Sequence, residues 1–344
     1  MSITGEPLLH VENLRVEFPT EDGVVKAVDG ITYEIGRGRT LGVVGESGSG
    51  KTVAAMTVLG LTRGQGATIT GRVMFAGRDL LGLDEVALRR IRGNEVAMIF
   101  QDPSTALHPL YRVGAQLNEA VKAHRDVTKV QARARTIELL GLVGIPDPAK
   151  RVDDYPHEFS GGMKQRAMIA MALANEPKLL IADEPTTALD ATVQAQILAL
   201  LERLRGELGM AVMIVTHDLG VVAEMADEIA VMYAGRIVET AATETLLKSP
   251  EHPYTWGLLR SIPKLDGPRL ERLEPIKGSP PSLIDPPSGC HFHPRCAYAQ
   301  PDHARIDPEL LPLPTDPAHP DDPAHKVACL LEPQVRRKLW EESA

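Results

Sequence analysis

Two stretches carry residues whose types and spacing suit phosphate chemistry. GESGSGKT, residues 45–52, fits G-x-x-x-x-G-K-T. It directly follows the apolar run TLGVV and leads into the helix-like TVAAMTVLG. Glycines at 45, 48 and 50 let the backbone curl. The N–H groups along Gly45, Glu46, Ser47, Gly48, Ser49 and Gly50 can then point inward at phosphate oxygens. Lys51 offers a point charge to β and γ phosphates, and the Thr52 hydroxyl can ligate Mg²⁺. The start of the following helix adds a partial positive charge. The second stretch, KLLIADEP, reads as a buried strand that ends in two carboxylates. Asp183 is placed to hold Mg²⁺, directly or through water, and Glu184 to orient and polarise an attacking water. A solvated acidic turn is the plain alternative for this pair.

Other polar residues stand at the ends of apolar runs. Gln101 follows VAMIF, where its amide could reach Mg²⁺ and the water. His217 follows MIV and a threonine, where its imidazole could contact a γ phosphate. Asp190, in TTALD, could cap the next helix or face a partner chain. In FSGGMKQR, Ser160, Gly161 and Gly162 precede a helical run, so free N–H groups and a hydroxyl form a second anion site. One nucleotide already has its loop at 45–52. The economical occupant of the second site is therefore the γ phosphate of a nucleotide held by another subunit. The plain alternatives are a turn amide, a satisfied core histidine and ordinary helix caps.

Strands and helices must hold these groups. LLHVENLRVEF alternates like a half-buried strand, and ITYEIGRGRTLGVVG holds two more strands around the turn GRG. VGAQLNEAVKAH and VTKVQARARTIELLGLVGI have helical spacing, with Val130, Ala134 and Ile137 on one stripe. Short strands return in KLLIADEP and AVMIVTHD, and EIAVMYAGRIVETA reads as a hairpin turning at Ala234-Gly235. Alternating strands and helices predict an α/β domain with a largely parallel sheet, interrupted by a helical insertion.

Composition narrows the function classes. A net charge of −9 argues against nucleic acid as the main partner. No apolar run approaches the roughly 20 residues needed to span a bilayer. MSITGEPLLHVENLRVEF lacks the pattern of a secretory signal, and three cysteines do not make a disulfide framework, so the chain reads as cytoplasmic. Eighteen of the 27 prolines lie after Lys248, with both tryptophans and all three cysteines, which predicts a separate loop-rich unit there.

GESGSGKT, the glutamine of IFQDP, FSGGM, LLIADEP, TALD and the histidine of VTHD occur in the order seen in ATP-binding cassette (ABC) ATPases. The chain resembles that family over about residues 8–245. MIFQDPSTALHPL, EFSGGMKQRAMIAMALA and HPYTWGLLRSIP, with Ile262 and Pro263, are similar to the subfamily that energises oligopeptide and dipeptide uptake. Met163 stands where many cassettes carry glutamine, but methionine is common in this subfamily.

The resemblance implies an α/β P-loop NTPase fold with a β-strand subdomain and a helical subdomain at about 102–165. These make up a nucleotide-binding domain over 1–246, with a small C-terminal domain over 247–344. It implies ATP and Mg²⁺ as ligands of residues 45–52, Gln101 and Asp183. Glu184 would be the general base, His217 the switch histidine, and Ser160–Gly162 the signature that closes on a partner's ATP. Phe18 would lie under the adenine, a strand-end core phenylalanine being the alternative. The implied setting is the cytoplasmic face of the membrane. There the chain would pair with a second, homologous ATPase beneath two membrane-spanning permease subunits, whose coupling helices the helical block receives. A substrate-binding protein would take part indirectly, and nucleic acid would not. Nickel or another small solute is the alternative cargo. A soluble cassette ATPase acting on ribosomes or DNA usually has two cassettes or a long coiled coil. Here there is one cassette and no heptad run.

The segment GCHFHPRCAYAQPDH gathers Cys290 and Cys296, with Cys329 beyond and His291, His293, His303 and His325 nearby. It reads as too proline-rich and too poor in apolar residues to hold together by burial, so a metal could supply the cross-link. Zinc suits Cys and His but usually takes a tightly spaced cysteine pair, and wider thiolate spacing also suits iron–sulfur clusters. Three unrelated small hydrophobes are the plain alternative. Related peptide-importer ATPases carry four cysteines in this tail around a [4Fe–4S] cluster. The resemblance therefore implies a structural cluster on Cys290, Cys296 and Cys329. His303 stands where a further cysteine falls, and Cys₃His zinc is the alternative.

Overall fold

The computed structural model describes residues 6–187, 189–261, 276–314 and 324–342. Ile262 and Pro263 lie outside the described residues. The described strands, in chain order, are β1 (Leu9–Thr20), β2 (Gly23–Ile35), β3 (Thr40–Val44), β4 (Thr68–Phe75), β5 (Arg78–Asp79) and β6 (Val96–Ile99). They continue as β7 (Leu179–Asp183), β8 (Ala211–Thr216), β9 (Glu228–Tyr233), β10 (Arg236–Ala242), β11 (Leu311–Pro312) and β12 (Lys326–Val327). No described helix is long and apolar enough to cross a membrane.

Two compact units divide the chain. One comprises Met1–Gly36, Thr40–Leu81 and Val215–Ala344; the other comprises Arg37–Arg39 and Gly82–Ile214. The residues after 247 fall in the same unit as the GESGSGKT loop.

In the first unit, β2, β1, β4 and β5 form an antiparallel sheet in that order. Leu9, Val11, Leu14 and Val16 of β1 are buried. The step from Val11 to Leu14 breaks the two-residue period because the pairing register shifts between them, at Asn13 with φ 45°. A second set of strands runs β11-β12-β10-β9-β3. Here β3 and β9 are parallel, as fits the wholly buried TLGVV. The hairpin from β9 to β10 turns at Ala234 (φ 45°) and Gly235 (φ 82°), with Tyr233 opposite Arg236.

The tail docks on this hairpin. Val327 pairs with Glu239 and Lys326 with Thr240, so β12 extends the sheet. Tyr254 and Trp256, on the helix Pro253–Arg260, are fully buried, and Phe292 packs against Tyr233 and Tyr254. Trp256 also meets Tyr298 and Trp340. Arg336 and Glu251 form an ion pair at 2.7 Å with both side chains buried. These aromatic and ionic links give the tail a cohesion that its proline-rich sequence does not suggest. Aromatic side chains bury large areas each, so a few suffice.

In the second unit, β6 and β7 pair in parallel, from Val96 opposite Leu179 to Ile99 opposite Ala182, and β8 follows β7. Helices at Val113–Lys122 and Lys129–Leu142 lie within the stretch expected to be helical, and Gly161–Ala172 begins near its end. The stripe of the second helix is not the expected one. Ala132, Thr136, Leu139 and Leu140 are buried, whereas Val130 is 79% exposed. The apolar faces of a short, arginine-rich helix are nearly equal, and packing chose the other.

Candidate active site

The first unit builds the GESGSGKT loop between β3 and the helix Lys51–Val58. Gly50 caps that helix with φ 99°, and a Cβ there would stand 2.1 Å from the Ala27 carbonyl oxygen. A Cβ at Gly45 would stand 2.0 Å from the Met232 carbonyl oxygen. Only glycine fits either place. The Lys51 ammonium is buried and donates to the carbonyls of Gly45 (2.7 Å) and Glu46 (2.9 Å) and to Ser49 Oγ (3.4 Å). The loop is thus curled around its own cation, and Ser47, Gly48 and Thr52 are exposed at its rim. This cradle suits a triphosphate, whose oxygens can replace the carbonyls as acceptors of the Lys51 protons. His217 follows β8 and is exposed, and Phe18 is half-buried on β1 opposite Val25.

The second unit builds the acidic turn. Asp183 ends β7 and is buried. Glu184 follows in the left-handed region with φ 47°, which is uncommon for a residue with a side chain. Its carboxylate accepts from Gln101 Nε2 at 2.8 Å and from Thr187 Oγ1 at 2.9 Å. Gln101 therefore meets the expected base directly. Ser160 caps the helix Gly161–Ala172, its Oγ accepting from the Met163 N–H at 3.3 Å. Gly161 is exposed, with open space where a Cβ would be. Asp190 caps the helix Ala191–Leu208 through the Val193 N–H.

Two residues escaped the sequence reading. Thr187 sits three positions after Glu184, the spacing of a tight turn, which was the available signal. Gln165, buried, donates from Nε2 to the Pro185 carbonyl at 2.5 Å and ties the signature helix to the acidic turn. Nothing in its local sequence marks it.

The cysteine set is not assembled as expected. Among the described residues, no group of three or more His, Cys, Asp or Glu could hold a metal ion. Each nearby histidine has a ring nitrogen engaged elsewhere. His291 meets the Ala234 carbonyl, His293 the Cys290 carbonyl, His325 the Glu239 carboxylate, and His303 Nδ1 accepts from the Gln300 N–H. Burial pushes the Cys296 and Cys329 thiols up to about 11 and raises Cys290; repulsion from Cys290 adds a little at Cys296 and, with Cys296, at Cys329. Thiols so shifted are protonated near neutral pH and poor nucleophiles. One ring nitrogen of each histidine is thus spoken for.

Residues 28–187 match the family model described as ABC transporter. Residues 238–302 match that of the oligopeptide/dipeptide transporter C-terminal region. The oligopeptide transport ATP-binding protein OppD of Bacillus subtilis is 49% identical over 89% of this chain and 84% of its own. The chain belongs to the ATP-binding proteins of ABC transporters. The dipeptide transport ATP-binding protein DppD of Bacillus subtilis is 50% identical to this ABC ATPase over 85% of the chain and 87% of its own. A solved post-hydrolysis dimer of the ATP-binding cassette MJ0796, bound to ADP and Pi, has a TM-score of 0.62 at 26% identity. It covers 68% of this ABC ATPase and 98% of its own chain. The cbiO1 protein of Clostridium perfringens gives 0.59 at 27%, with 72% and 97% covered. The fold is thus the P-loop NTPase fold of the ABC cassettes, and the family's chemistry is ATP hydrolysis.

Proposed function

We propose that this ABC ATPase powers import of dipeptides or oligopeptides. The observation that carries the catalytic part is the Glu184 carboxylate, held by Gln101 and Thr187 at the end of β7. In this reading residues 45–52 bind the phosphates; Thr52, Gln101 and Asp183 would hold Mg²⁺, which would supply neutralisation of developing charge. Glu184 takes a proton from the water as its oxygen bonds to the γ phosphorus and the β–γ bridge breaks. His217 contacts the γ phosphate, and Phe18 stacks under the adenine. Support for the cargo comes from the match of residues 238–302 and from the two Bacillus relatives.

The same reading places Ser160–Gly162 on the ATP of a second cassette chain, a homologous and distinct one. It places the subunit at the cytoplasmic face, beneath two permease subunits served by a substrate-binding protein. A cleft of about 420 Å³ in the second unit, lined by Ala106, His108, Tyr111, Ala115 and Met171, supports permease docking. Leu110 and Tyr111, exposed by 78% and 59%, lie at or beside it. Gly161→Asp would put a carboxylate against the partner's γ phosphate, where like charges repel. ATP-driven closure, read by gel filtration, should be lost while ATP binding remains; normal closure sinks the paired reading. Identification of co-purifying membrane subunits tests cargo and partners together.

A cluster on Cys290, Cys296, Cys329 and His303, as [4Fe–4S] or zinc, is the narrowest part of this reading. Its support is the resemblance of the tail, with Cys290, Cys296 and Cys329 as the three thiols. Brown anaerobic protein with iron and labile sulfide sustains it, one bound zinc sustains the alternative, and metal-free protein removes both.

A further inference from the structure

Glu46 is an odd residue in a loop that binds phosphate: a carboxylate there repels the ligand. Its side chain is not left to do so. Arg295, from the cysteine-bearing segment, grips it with a two-pronged contact, Nη1 to Oε2 at 2.6 Å and Nη2 to Oε1 at 3.0 Å. The Arg295 side chain is only 5% exposed. Its Nε donates to the Lys277 carbonyl at 3.0 Å and Nη2 to that of Gly278 at 3.1 Å. Nη1 also reaches Tyr233 Oη at 3.5 Å, and the guanidinium lies over the Tyr233 ring at 5.7 Å. Nearly every donor of the fork therefore has an acceptor, which fixes it in one orientation. A second tail residue acts on the same position. The fully buried Tyr254 accepts the Glu46 backbone N–H at its phenol oxygen, at 2.8 Å. Both the side chain and the backbone of Glu46 are thus set by residues more than two hundred positions away.

We propose that the C-terminal segment positions the phosphate loop for nucleoside triphosphate, with Arg295 and Tyr254 as positioning residues that act through Glu46. Arg295 neutralises the carboxylate and pulls it off the phosphate path. Tyr254 holds the peptide that begins the curl around Lys51. The inference rests on the phosphate-binding reading of residues 45–52.

The test measures equilibrium binding of a fluorescent ATP analogue to the full chain, and KM against kcat in the assembled transporter. Arg295→Met frees the Glu46 carboxylate and should weaken binding about tenfold, the scale of one charge-assisted hydrogen bond. KM should rise and kcat change little. Arg295→Met combined with Glu46→Gln removes the freed charge and should recover to within about threefold of the parent. A merely structural role would give no such recovery. Arg295→Lys, which cannot make the fork, should fall between. If Arg295→Met does not fold, Arg295→Lys and Tyr254→Phe carry the test, each with a weakening of about threefold. Parent-like binding in the Arg295 variants, or no recovery in the double variant, overturns the proposal. Lys51→Ala separates the two readings. If it also binds like the parent, the phosphate-loop reading itself falls.

Discussion

Two carboxylates, Glu184 after β7 and Glu239 within β10, are held in opposite ways. Glu239 is fully buried and accepts from the N–H groups of Glu251 (2.6 Å) and His252 (3.1 Å), the Thr255 hydroxyl and His325 Nε2 (2.8 Å). Two of those donors are backbone at the start of the helix Pro253–Arg260, and they cannot rotate away. Glu184 is half-buried in a left-handed conformation, and Gln101 and Thr187 grip it through side chains. Side-chain donors can yield their place to a water or a metal ion. Burial with backbone donors makes a staple; partial burial with side-chain donors makes a group that can change partners.

The sharpest way to break this contrast is to remove one negative charge from each. Glu184→Gln should lower kcat by at least roughly 10², the scale for a positioned base, with ATP binding and thermal stability kept. Near-normal turnover would strip Glu184 of its role. Glu239→Gln should do the reverse. An amide NH₂ would face N–H donors, costing about 2–3 kcal/mol in urea denaturation, while turnover per folded molecule stays the same. A large loss of turnover with stability unchanged would refute the staple.

The smallest expected effect concerns His252, at the same junction. Burial, with help from Arg336, holds its imidazole down to about 3. Its Nδ1 accepts the Tyr254 N–H at 3.1 Å and so must be unprotonated. The folded state favours the neutral ring, so its contribution is complete above the ordinary histidine value and is lost as pH falls from about 6.5 towards 3. Between pH 7 and 5 the parent should lose about 2 kcal/mol more than His252→Asn, which keeps a cap acceptor and does not titrate. Parallel pH profiles would contradict this.

The motifs that mark the family were legible because each piece is local. A strand, a glycine curl and a lysine lie within a dozen residues, and so do LLIA and its two acids. Thr187 was nearly legible, because its reach to Glu184 is that of one turn. Glu239 was not, since VETA looks like any strand and its donors arrive from the following helix and from His325. The cohesion of the tail was hidden for the same reason. Proline content and sparse apolar residues are local facts, whereas the pairing of Val327 with Glu239 and the contacts of Phe292 with Tyr233 are not. The Val130 stripe failed on a different ground: two candidate faces of one helix differ little in hydrophobicity, and only the packing partner decides.

The grip of Arg295 on Glu46 spans 249 positions. Chains are made from the N-terminus, and early segments begin to fold while later ones are still unmade. The phosphate loop therefore leaves the ribosome with its glycines, lysine and threonine complete and its clamp not yet translated. A chain that stops between His217 and Arg295, by a nonsense codon or a stalled ribosome, carries each of the ATP motifs and still lacks the hand that sets Glu46. On the proposed role of Arg295, full nucleotide affinity would then come only to a chain translated past it.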